Sequence, residues 1–104
     1  MKKKVYISGP ITGTKDYMEK FAKAEELLKS KGYSVINPAK VNAQLPEDTT
    51  YEQYMQMSIA MMNMADAIYL LPNWNKSRGA SFENHYSDIL GLEYIDGMEV
   101  KYGK

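Results

Sequence analysis

Residues 67–71, Ala-Ile-Tyr-Leu-Leu, form a continuously apolar run between Asp66 and Pro72. A strand without a polar face must be covered on both sides, as in a parallel sheet packed between helices. Three further runs fit the same frame. Residues 5–8 read as a first strand ended by Gly9-Pro10, residues 33–36 as a second closed by Asn37-Pro38, and residues 92–95 as a fourth. Residues 96–104 read as a short final strand or tail.

Between these runs the apolar period changes from two to between three and four. Asp16 is placed as an N-cap with Glu19 three residues on, the pattern of a capping box. Behind it, Tyr17, Phe21, Ala24, Leu27 and Leu28 share one face of a first helix, and Gly32 follows as its stop. A polar loop with Pro38 and Pro46 runs to about Thr50. Residues 51–64 read as a second helix with Tyr54, Met55, Ser58, Met61 and Met62 on one stripe. Gly79-Ala80 opens a third helix that ends near Leu90, before Gly91. Strands alternating with helices imply an α/β fold: a four- to five-stranded parallel sheet, right-handed crossovers and helices on both faces. At 104 residues the chain supports a single domain, residues 1–104.

Charge and residue usage narrow the function. Lys plus Arg and Asp plus Glu number 13 each, so the basic excess of a nucleic-acid-binding surface is missing. Cysteine is absent and His85 is the one histidine, which removes disulfides, thiolate chemistry and His-rich zinc sites. No metal and no cofactor are expected. The Lys2-Lys3-Lys4 start is followed by too short an apolar segment for a signal peptide, and no run spans a bilayer, so the expected location is the cytoplasm. The stripe of the second helix exceeds what one small core is expected to bury. Tyr51, Tyr54, Met55, Met61 and Met62 therefore read as the interface of a homodimer or higher homo-oligomer.

In parallel α/β sheets, ligands sit beyond the carboxyl ends of the strands. That rule selects residues 8–15, 37–43 and 72–83. The first segment, Ser8-Gly9-Pro10-Ile11-Thr12-Gly13-Thr14, is a strand-to-helix loop whose backbone N–H groups suit a phosphate. It lacks the Walker lysine and the dinucleotide fingerprint, and a simple tight turn fits it equally well. The third segment, Trp74-Asn75-Lys76-Ser77-Arg78-Gly79-Ala80-Ser81-Phe82-Glu83, ends in a carboxylate placed in the first turn of a helix. There the helix dipole would favour its ionised form, as a nucleophile or an electrostatic stabiliser requires. An ordinary first-turn acid is the plainer alternative.

Taken together, Val5-Tyr6-Ile7-Ser8-Gly9-Pro10-Ile11, Asn37-Pro38, Ala65-Asp66-Ala67-Ile68 and Leu70-Leu71-Pro72-Asn73-Trp74 with Ser77-Arg78-Gly79-Ala80 and Glu83 resemble the nucleoside 2-deoxyribosyltransferase-like superfamily. The small DUF4406 branch, found in bacteria and their phages, is the nearest in pattern. The resemblance implies a Rossmann-like three-layer sandwich that binds a nucleoside or nucleotide. It also implies a glutamate nucleophile at Glu83 with Tyr6 beside it, displacing the base as a retaining glycosidase displaces an aglycone. The implied binding residues are Ser8, Gly9, Pro10, Ile11, Thr12 and Gly13 in the first loop, with Trp74, Ser77, Gly79 and Ala80 opposite. Ser77, where free-nucleoside transferases carry aspartate, implies a nucleoside monophosphate as substrate of an N-glycosidase or deoxyribosyltransferase. One position departs from the pattern. Ser58 stands where active relatives carry an aspartate that handles the leaving base, which leaves open a nucleotide-binding protein with weak or no turnover.

Overall fold

A computed structural model describes residues 2–11 and 15–95. Strands β1 (Lys4–Ser8), β2 (Ser34–Ile36), β3 (Ala67–Leu70) and β4 (Glu93–Ile95) alternate with helices α1 (Tyr17–Ser30), α2 (Pro38–Asn42), α3 (Tyr51–Met62) and α4 (Arg78–Leu90). The strands form one sheet in the order β2-β1-β3-β4, and every neighbouring pair is parallel. The expected α/β architecture is therefore present, with four strands among the described residues. The expectation for residues 96–104 lies outside them.

Period-two alternation sorts β1 into two cores. Val5 and Ile7 face one side, where they pack with Phe21, Ala24 and Leu28 of α1. Tyr6 faces the other, with Met61 and Met62 of α3, Ile68 of β3 and Tyr86 of α4. Met61 and Met62 are thus core residues of this chain, which corrects their assignment to a subunit interface. The sheet covers enough area to take them because α3 and α4 lie side by side on one face.

Two local expectations are also corrected. The Asp16 side chain caps nothing and no capping box forms at α1; it pairs instead with Lys20 at 3.7 Å. The capping box belongs to α3, where Thr50 and Gln53 exchange hydrogen bonds of 3.1 and 2.9 Å. Residues 38–50, expected as a loop, open with α2. Pro38 occupies its first turn, where a missing N–H costs nothing. Asn37 Oδ1 accepts from the N–H groups of Ala39 and Lys40 at 3.0 and 3.4 Å. The Asn37 amide also donates to buried Glu25 of α1 at 3.0 Å, so one side chain both caps α2 and anchors it to α1. Burial opposes the charge on Glu25, but hydrogen bonds from Lys29, Asn37 and Lys40 outweigh it and hold the carboxyl at about 2.

Helix α4 ends as expected: Gly91 takes φ 73° as its C-cap, a left-handed conformation open to glycine without strain. No helix among the described residues is long and apolar enough to cross a membrane.

Candidate active site

Tyr6 and Ser8 are two apart on β1 and so point to the same face of the sheet. Above them runs α4, whose buried residues Ala80, Glu83 and Ser87 recur at helical spacing. This puts the Glu83 carboxylate directly over β1. The Tyr6 hydroxyl donates to Glu83 Oε2 at 3.0 Å and the Ser8 hydroxyl to Oε1 at 2.6 Å. The shorter contact has the length of a charge-assisted bond. The Ser58 hydroxyl, on the buried stripe of α3 with Met61 and Met62, stands beside both groups and can give its one hydrogen to Glu83 or to Tyr6. Three hydroxyls, two on β1 and one on α3, thus surround one carboxylate.

Glu83 is only 8% exposed. Burial raises its ionisation above the ordinary carboxylate range, while hydrogen bonds from Ser8, Ser58 and Tyr6 pull against that rise. Tyr6 is pushed well above its usual range by burial and by the adjacent carboxylate. The structure corrects the expected electrostatics. Glu83 is the sixth residue of α4 and lies beyond its first turn, which holds no acid. The helix dipole acts within that first turn. Hydroxyl donors, not the dipole, support the charge.

The carboxylate opens onto a cavity of about 230 Å³, slightly below the usual range for small-molecule sites. Tyr6, Gly9 and Ile11 line it from the β1 side, Ser77, Gly79 and Ala80 from the start of α4, and Tyr51, Tyr54, Met55 and Ser58 from α3. The α2 wall contributes Pro38, Asn42 and Ala43. Among the described residues lining the cavity, Glu83 carries the one formal charge.

The residues picked from the sequence separate into groups. Glu83, Tyr6, Gly9, Ile11, Ser77, Gly79 and Ala80 surround one cavity. Ser8 lies behind Glu83, fully buried, with its hydroxyl committed to the carboxylate. Ser77 also caps α4, accepting from the Ala80 N–H at 3.2 Å. Pro10 and Trp74 are half-buried and are not part of the lining. Thr12 and Gly13 lie outside the described residues. The α2 wall falls in residues 37–43, which the strand-end rule selects as a ligand segment, though as a loop rather than a helix; the Ser8 contact to Glu83 escaped the sequence reading. Tyr51, Tyr54 and Met55, read there as interface, line the cavity. No group of three His, Asp or Glu side chains among the described residues is placed to hold a metal.

Residues 3–96 match the family described as a domain of unknown function, DUF4406. The chain belongs to the DUF4406 family. No curated protein matches it. Among solved structures, a 2-deoxyribosyltransferase from the psychrotolerant bacterium Bacillus psychrosaccharolyticus is similar, with a TM-score of 0.70 and 22% identity. The match covers 88% of this chain and 69% of that one. At that identity the likeness shows the fold: this DUF4406 chain has a nucleoside 2-deoxyribosyltransferase-like architecture.

Proposed function

We propose that the protein cleaves the base–sugar bond of a nucleoside monophosphate, as an N-glycosidase or deoxyribosyltransferase, with Glu83 as nucleophile. The observation that carries this reading is a single buried carboxylate at the wall of a cavity, held by Tyr6 and Ser8 with Ser58 beside it. A carboxylate fixed in this way can attack an anomeric centre and carry the sugar as an ester. Positive charge developing on the sugar ring would face the ionised Glu83 in a site largely shielded from water. The phosphate is assigned to the end of the cavity lined by Ile11 after β1 and by Ser77 and Gly79 at the start of α4. Ser8 supports Glu83 and is not available to the phosphate.

The test is release of free base from a panel of nucleoside monophosphates, followed by chromatography. Glu83→Gln should abolish release while leaving nucleotide affinity within a few fold, because the amide keeps the shape and loses the charge. Near wild-type release from that variant would end the proposal. A second reading, a nucleotide-binding protein without turnover, is favoured by Ser58 standing against Glu83 where an acid would serve the leaving base. A thermal-shift response to nucleotides together with no base release selects that reading. We also propose a homo-oligomer, now carried by exposed Met64, Phe82 and Ile89 on α3–α4 and its flank. Light scattering that gives the monomer mass at tens of micromolar would refute it.

A further inference from the structure

A neutral purine or pyrimidine leaves a sugar as an anion unless it is protonated, and retaining glycosidases meet that need with a second carboxylic acid close to the nucleophile. General acids work best with an ionisation near the operating pH, which favours a carboxyl or an imidazole over an alcohol. The described lining offers neither beside Glu83. His85 is exposed on α4 and lies outside the lining. Asp66 precedes β3 and accepts from the Lys4 N–H at 2.9 Å, at the amino ends of β1 and β3, opposite the site. Glu52 is exposed and likewise outside the lining. The hydroxyls of Tyr6 and Ser8 point their hydrogens at Glu83, so they serve the nucleophile and not the departing base.

What the cavity does offer suits a cation. The one charge on its described lining is negative, and five of the lining residues are aromatic: Tyr6, Tyr17, Phe21, Tyr51 and Tyr54. Aromatic faces attract cationic groups through the ring quadrupole, more strongly where water is excluded. Tyr51 already does so at the rim, where the Arg78 guanidinium lies 5.1 Å from its ring centre.

Resting on the reading of Glu83 as nucleophile, we propose that the preferred substrates carry a cationic aglycone. The class is an N-glycosylated pyridinium or an N7-alkylated purine, whose base leaves without a proton. In the first step a Glu83 carboxylate oxygen forms a bond to C1′ as the C1′–N bond breaks. The bonding pair goes to the ring nitrogen and cancels its positive charge, so a neutral heterocycle departs. Water then attacks C1′ of the glycosyl ester, giving the free sugar, the restored carboxylate and one proton to solvent. Neither step asks for the acid that the described lining lacks.

The experiment compares matched substrates with the full wild-type chain. The pairs are 7-methylguanosine monophosphate against guanosine monophosphate and nicotinamide mononucleotide against uridine monophosphate. Base release is divided by each compound's spontaneous rate at the same pH, which removes the intrinsic lability of the cations. The cationic member should show an acceleration at least about 100-fold greater, the lower bound of what a general acid contributes to a neutral base. Equal or greater acceleration of the neutral members, abolished in Glu83→Gln, overturns this inference and leaves the nucleophile reading standing. No acceleration of either member overturns both.

Discussion

Glu25 gives a stability prediction whose size can be worked from its surroundings. Its carboxylate accepts from Asn37 at 3.0 Å and pairs with Lys29 at 2.8 Å and Lys40 at 3.3 Å. The carboxyl is held at about 2 against an ordinary 4.5. At roughly 1.4 kcal/mol per tenfold, that gap sets a ceiling of about 3 kcal/mol. The Lys29 and Lys40 side chains are 60% and 62% exposed, and water screens such pairs, which brings the expected contribution to about 2 kcal/mol. Because the folded value lies below the unfolded one, the contribution is complete above about pH 4.5 and is lost as pH falls towards 2. Glu25→Gln can still accept from Asn37 but loses both ion pairs. At pH 7 its Tm should lie roughly 10 °C below wild type, taking several degrees per kcal/mol for a domain of this size. Calorimetry from pH 7 to pH 2.5 should show the two stabilities converging below pH 4.5. A gap that stays constant across that range would refute the argument. Since Asn37 links Glu25 to the cap of α2, which forms one cavity wall, the variant should also bind nucleotide less tightly at pH 7.

Three shorter predictions follow from the same geometry. A Cβ added at Gly9 would lie 2.7 to 3.0 Å from three Leu71 side-chain atoms, so Gly9→Ala should cost about 1–3 kcal/mol by overpacking, read from urea midpoints. Ser8→Ala removes a donor to the ionised form of Glu83, so the acidic limb of the pH–rate profile should move up by about one pH unit; an unmoved limb would show that Ser8 does not tune the carboxylate. Tyr6→Phe removes the second donor and should shift the same limb in the same direction, with base release slowed less than in Glu83→Gln.

The strand pattern was legible because burial on both faces leaves an unbroken apolar run such as 67–71, which local sequence reports directly. Helix α2 was not, because its signal is a single capping residue before a proline, and Asn37-Pro38 reads equally well as a turn. Glu83 was found through its motif, but its environment was misjudged. Counting from Gly79-Ala80 suggested a first-turn acid, whereas the spacing of Ala80, Glu83 and Ser87 already placed it on the buried face. Glu25 was passed over for the converse reason. It sits inside the apolar stripe of Phe21, Ala24 and Leu28, and its partners Asn37 and Lys40 lie beyond the end of the helix. The fate of Met61 and Met62 depended on how much of the sheet α3 and α4 cover, a property of the assembled fold that no local window contains.

The sheet order has a consequence for a chain emerging from the ribosome. β1 is made first yet occupies an inner position, between β2 and β3. Its partner β2 arrives after one helix, but β3 arrives only after α1, α2 and α3 have been synthesised. Until then one edge of β1 is unpaired, and the hydroxyls of Tyr6 and Ser8 have no carboxylate to meet. Glu83 follows Tyr6 by 77 positions, so the site closes only when nearly all of the described chain is out. A nascent chain stalled before α4 would present that face covered by α3 alone, with the cavity lacking its α4 wall and its carboxylate, which makes ligand binding a report of finished synthesis as much as of correct folding.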